Sequence, residues 1–291
     1  MFAEFLQYLV TGVTIGAIYA LVALGFSIIF NASHVINFAQ GEFVMLGGMS
    51  AVFLLASGIP LPAAVLLAVL CGAVLGIALY KLGIAPARHS DPIPLIIITI
   101  GAGLALRGIA QIVWGKGFHS LPAFSGNEPI GLLGAVIMPQ SLWVVGTTCV
   151  VVALLAYFFN RTRLGKAILA TSYNRDAAQL MGINTDMIMI VSFALAGLLG
   201  AVAGAVVAPI TFTYYEIGVM LGLKGFVAAV LGGLGSFPGA VAGGLVLGVT
   251  EAMMAGYISS HYKDAVAFVL ILLILFFMPT GMFGKQSAER V

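Results

Sequence analysis

NRTRLGKAILATSYNRDAAQLMGINTD, residues 160–186, is a polar island between two stretches, 129–160 and 187–215, that carry no charged side chain. It holds Arg161, Arg163, Lys166 and Arg175, four of the twelve lysines and arginines in a chain of 291 residues. Outward from it, further runs free of Asp, Glu, Lys and Arg cover 5–41, 43–80, 225–250 and 265–284. About 20 apolar residues at 1.5 Å each cross the roughly 30 Å hydrocarbon core of a bilayer, so these runs are membrane helices, some holding two crossings. The island is therefore a sizeable loop outside the lipid. The fold class that follows is an all-α polytopic membrane protein.

Composition agrees. Apolar residues make up 62% of the chain and charged ones 8%, against roughly a quarter charged in soluble proteins. A net charge of +2 offers no footing for nucleic acid. The 37 glycines suit lipid-embedded helices that approach closely. Cys71 and Cys149 lie inside apolar runs and read as buried small hydrophobes, not as a disulfide or a metal pair. The start, MFAEFLQYLV, lacks a basic n-region and a small-residue cleavage site, so it reads as a retained helix.

The hydrophobic pattern predicts nine spans, near 6–30, 41–58, 61–80, 93–113, 141–159, 187–208, 219–235, 239–257 and 265–279; eight remain possible if one close pair is misdivided. Basic residues set the orientation. Lys81, Arg88, the four cations of the island, Lys285 and Arg290 fall on one side if the N-terminus is outside and the C-terminus inside. That leaves Lys116 and Lys263 outside, with Arg107 and Lys224 in or near helices. Residues 1–291 are expected to form one transmembrane domain. The outer connection 114–140 is rich in Pro and Gly and reads as a re-entrant or surface-lying piece.

Within the island, Asn174 is placed as an N-cap, Asp176 suits the first-turn dipole, and Gly182 can take the left-handed conformation that closes a helix. The resulting helix of about two turns is too short to stand alone in water. Ala177, Leu180 and Met181 share one face, preceded by a second apolar row of Leu164, Ala167 and Ile168. Such a face needs a surface: lipid headgroups, or a partner.

Asn31, His34, Asn37 and Gln40 recur every three residues, which drifts about 60° per step on an α-helix. They form either a solvated connection or an irregular polar segment inside the bundle, tolerated only where it is buried in protein or lines a cavity. Glu42 then opens the second helix. Glu251, inside the eighth span, is costly in lipid unless partnered. Lys224 or Arg107 could pair with it, or it could reach the outer surface. Gly232, Gly235, Gly239, Gly243, Gly244 and Gly248 predict a closely packed hairpin or, as the other reading, a backbone-lined path. They are no phosphate loop, because Gly232-Gly233-Leu234-Gly235-Ser236 lacks the Lys-Ser/Thr pair.

TRLGKAILATSYNRDAAQLMGIN resembles the ATPase-docking loop of ABC importer permeases, more narrowly that of the branched-chain amino acid permease family. HVINFAQGEFVMLGG (34–48) and GLKGFVAAVLGGLGSFPGAVAGGLVLGVTE (222–251) extend the resemblance over nearly the whole chain. It implies a non-catalytic half-pore in a bacterial inner membrane, with no cofactor of its own and ATP bound by partner subunits. The implied partners are a second permease, two ATPases and an external solute-binding protein. Docking would fall on Arg163, Gly165, Ala170, Asn174, Ala177, Leu180, Met181 and Gly182. The translocation pathway would draw on Asn37, Gln40, Glu42, Lys224 and Glu251. Many relatives carry His where this chain has Gln40, which leaves open a cargo of urea, short amides or aromatic acids.

Two other classes fit less well. An intramembrane serine protease needs a histidine beside its nucleophile within the bilayer, and His34, His89, His119 and His261 map to connections. A transporter driven by ion gradients would carry charged relays in several helices; here they are sparse, and the island would be unexplained.

Overall fold

In the computed structural model, which describes residues 2–87, 91–126, 128–132 and 134–284, helices occupy all nine expected positions. They are α1 (Phe2–Ser33), α2 (Gln40–Ala56), α3 (Leu61–Leu79), α4 (Pro92–Trp114), α5 (Pro139–Arg161), α8 (Thr185–Val207), α9 (Ile217–Gly232), α10 (Phe237–Tyr257) and α11 (Lys263–Phe277). Two short helices, α6 (Arg163–Tyr173) and α7 (Arg175–Leu180), build the polar island. Proline stands at the first or second position of α3, α4, α5 and α10, where its missing N–H costs nothing. Among the described residues, seven helical segments are long and apolar enough to cross a membrane. The exceptions are α2 and α9, with 17 and 16 residues, about 25 Å of helix each.

Several expectations are corrected. α1 runs to Ser33 and takes in Asn31. The chain turns at His34, whose φ is 55°. The connection between α4 and α5 contains a small antiparallel hairpin, β1 (Ile130–Leu132) on β2 (Ala135–Ile137), that no periodicity announced. Gln7 clamps it to α1, its amide donating to the Val136 carbonyl at 3.1 Å and accepting from the Val136 N–H at 2.7 Å. Cys71 and Cys149 are exposed rather than buried, on outward faces of α3 and α5, because an apolar run in a spanning helix does not say which of its residues face the bundle. Arg88, His89, Lys285 and Arg290 lie outside the described residues.

Small residues set the packing. α1 lies antiparallel on α10, Gly12 against Val249 and Gly16 against Gly244 and Leu245. α3 lies antiparallel on α8, Gly72 meeting Ala201 and Gly76 meeting Phe193. α2 runs beside α8, and α9 beside α1 with Gly225 against Val22. The sets α1–α2–α3 and α8–α9–α10 thus use the same pairings, the first helix of each lying on the third of the other. At the centre, the first turns of α2 and α9 cross. A β-carbon at Gly41 would sit 2.9 Å from the Gly222 Cα, and one at Gly218 would sit 2.8 Å from the Gly41 carbonyl carbon.

The glycine hairpin is a packing device: Gly232 lies on Gly239, Gly243 on Ala228, Gly244 on Ala20 and Gly248 on Gly16. By contrast α4 and α11 turn large apolar side chains outward, among them Ile97, Ile100, Leu104, Leu272 and Phe276.

Candidate functional site

Three features stand apart from the apolar packing: the short helices at the C-terminal end of α5, the polar groups where α2 and α9 cross, and a charged cluster around Lys224 on α9. Three side-chain caps build the first. Thr162 Oγ1 accepts from the Gly165 N–H at 3.0 Å, Asn174 Oδ1 from the Ala177 N–H at 2.9 Å, and Asn184 Oδ1 from the Met187 N–H at 3.1 Å. α7 ends in a Schellman arrangement: the Gly182 N–H donates to Gln179 O and the Ile183 N–H to Ala178 O. Gly182 supplies the left-handed residue this needs, at φ +84°. Six helical residues are held by their ends and by buried Ala178, not by propensity.

The expected docking residues divide by this geometry. Leu180 is 89% exposed and Met181 83%, joined by exposed Ala177 and Tyr173. Arg163 and Ala170 are exposed as well. Gly165 is buried against the Phe158 carbonyl and Phe159 at the α5–α6 corner, so it shapes the loop, as do Asn174 and Gly182. Of the second apolar row, Ile168 is the anchor to the bundle. Tyr173 was missed; a lone aromatic at the end of a polar helix was the signal available. A polar notch of about 550 Å³ beside Arg175, Gln179 and Asn184 borders α7. The Tyr80 hydroxyl donates to Asp186 at 3.0 Å and ties the start of α8 to the end of α3.

The segment 34–39 is not a solvated connection. Asn37 is buried, its Oδ1 accepting from the Ala39 N–H at 3.1 Å. The Phe38 N–H donates to Thr99 Oγ1 at 3.1 Å. The Gln40 amide donates to the carbonyl of Ala196, midway along α8, at 2.9 Å. Of the four polar residues spaced by three, only His34 is exposed and Asn31 is half-buried. Glu42, 3% exposed, accepts from Arg107 on α4 at 2.6 Å. Arg107 therefore pairs with Glu42 and not with Glu251.

Glu251 is buried and paired with Lys224, 2.6 Å away, instead of reaching the outer surface. Two members of this cluster were not foreseen. Asp264, at the start of α11, lies 2.6 Å from the same ammonium, and the Tyr19 hydroxyl donates to Glu251 at 2.8 Å. Among the described residues, no group of three His, Cys, Asp or Glu could hold a metal.

The family described as branched-chain amino acid transport system / permease component matches residues 8–275. The chain belongs to that permease family. It is 34% identical to the high-affinity branched-chain amino acid transport system permease protein LivH of Salmonella typhimurium, over 100% of this chain and 99% of that protein. The BraD permease of the corresponding system in Pseudomonas aeruginosa is 35% identical, over 99% of this chain and 98% of its own length. The autoinducer 2 import system permease LsrC of Escherichia coli is 31% identical over 79% of this chain and 68% of its own. Among solved structures, PsaBC from Streptococcus pneumoniae in complex with a Fab aligns over 96% of this chain and 97% of its own, with a TM-score of 0.51 and 16% identity. That likeness is one of fold. A permease of this family needs a route for solute and a link to whatever drives it, and the polar crossing and the capped helices are the candidates for the two.

Proposed function

We propose that this permease is the membrane half-pore of an ATP-driven importer for branched-chain amino acids in a bacterial inner membrane, with residues 1–291 forming one domain. The observation that carries the reading is the exposed apolar face of Tyr173, Ala177, Leu180 and Met181, held rigid by three caps where a mobile loop would have sufficed for lipid. An ATPase subunit is the surface it fits. ATP is bound by two such partners, and the chain itself is non-catalytic. The outward apolar faces of α4 and α11 suit a second permease subunit, and an external solute-binding protein delivers the cargo.

In the same reading the chain crosses nine times, N-outside and C-inside. Crossings two and seven combine a short helix with non-helical chain: 34–39, which buries Val35, Asn37 and Ala39, and 208–216, which buries Ala208 and Thr213 and leaves Ile210 and Phe212 exposed. In a background with Cys71 and Cys149 replaced, Ser120→Cys and Ser260→Cys should react with an impermeant thiol reagent from outside and Ala170→Cys should not. The opposite labelling pattern would refute the orientation.

Coupling is tested by Ala177→Glu. A carboxylate in the docking face must be desolvated on contact, so ATP-driven uptake should fall by at least tenfold while the protein still inserts. Undiminished uptake and complex formation would remove the docking role.

A further inference from the structure

A cavity of about 170 Å³ lies between α2, α4 and α9, walled by Phe26, Phe38, Phe226, Leu104 and Leu223 and holding Glu42 and Arg107. It is well below the 300–1,000 Å³ typical of drug-sized pockets and admits a solute a few-fold smaller. Its two charged residues touch through one contact, Arg107 Nη2 to Glu42 Oε1. Glu42 Oε2 and Arg107 Nε are both buried and have no hydrogen-bond partner. Oε2 faces Gly218, whose missing side chain leaves the space open: a β-carbon there would stand 3.1 Å from it. A bidentate fork would have satisfied both groups, and a buried ion pair kept only for stability is often replaced by apolar residues at no loss. The unmet acceptor and unmet donor are arranged for a ligand that brings one cation and one anion.

We infer that this cavity is a transit site for a zwitterionic α-amino acid with an apolar side chain. Glu42 takes the ammonium, Arg107 takes the carboxylate, and the three phenylalanines enclose the aliphatic part. The charges of the solute replace the Glu42–Arg107 contact as it enters, so neither protein charge is left uncompensated during passage. Gly218 and Gly41 permit the close approach of α9 that brings the phenylalanine wall against the pair. This inference rests on the importer reading above and goes further by naming the recognition chemistry.

The test is uptake of radiolabelled leucine by the complete transporter in proteoliposomes, with its solute-binding protein saturated, alongside ATPase stimulation. Glu42→Gln/Arg107→Gln removes both charges together, so no unpaired ion remains and the bundle keeps its shape. A merely structural pair predicts near-normal uptake in this double variant. The transit site predicts uptake at least tenfold lower with ATPase stimulation by the loaded binding protein unchanged. Uptake within twofold of the wild type would overturn the site alone, and loss of ATPase stimulation together with uptake would reassign the pair to coupling and overturn it too. No ATP-driven uptake by the wild-type complex would defeat the importer reading and the site with it. If the double variant does not insert, Arg107→Lys decides: it keeps the charge and loses the Nε donor, so maximal uptake should drop several-fold, and an unchanged rate would overturn the proposal.

Discussion

Replacing Lys224 with methionine is expected to destabilise the folded bundle by about 3–5 kcal/mol, the cost of removing one partner of a buried ion pair. Lys224 is 6% exposed and its ammonium lies 2.6 Å from carboxylates on two different helices, Glu251 on α10 and Asp264 on α11. Methionine is of similar length and fits the space, so the effect reports on charge. Glu251 has a second partner in Tyr19, but a hydroxyl donor does not balance a carboxylate in a low-dielectric interior. Asp264 is nearly half exposed and hydrates more readily. The double change Lys224→Met/Glu251→Met should therefore recover most of the loss. Thermal unfolding of the purified protein checks both, and a single variant as stable as the wild type would show that water or lipid headgroups already reach the cluster.

Gly218→Val should be as damaging by a different route. The Gly41–Gly218 crossing is backbone on backbone, and a β-carbon at either residue meets main-chain atoms that no rotamer change can move. Overpacking costs typically 1–3 kcal/mol, more where the neighbours cannot shift. Here relief requires parting α2 from α9, which would also open the polar interior. Monodisperse protein on size-exclusion chromatography should drop sharply for Gly218→Val. Gly146→Val, on α5 where a β-carbon meets nothing within 4 Å, should behave as wild type. Equal behaviour of the two would mean that the helices are not held at this distance.

Helix positions were legible because charge-free runs of the right length leave few alternatives in a bilayer. The placement of the segment before α2 was not, since residues 31–42 show the same composition whether they form a connection outside the lipid or a segment folded back into the bundle. What separates these cases is the Gln40 amide on Ala196 and the Phe38 N–H on Thr99, contacts spanning 156 and 61 residues of sequence. The caps at Asn174 and Gly182 could be read because capping is local chemistry. The pairing of Arg107 could not, because Glu42 and Glu251 are equally plausible partners until α4 is set against α2. Asp264 was hidden for a similar reason: beside Lys263 and Tyr262 it looks like an ordinary polar residue at a helix start. The hairpin at 130–137 has no strong strand signal, and its clamp is a glutamine on α1 more than 120 residues away.

A photo-crosslinking amino acid at Leu180, in cells expressing the complete transporter, tests the central claim most directly. Leu180 projects from α7 into solvent, and Leu66 on α3 offers an equally apolar, exposed control on the lipid-facing bundle. Irradiation should join the Leu180 position to an ATPase subunit in high yield and the Leu66 position to none. A Leu180 probe that captures only phospholipid, with the ATPase present and assembled, would contradict the docking role of the island and the account of how this permease is driven.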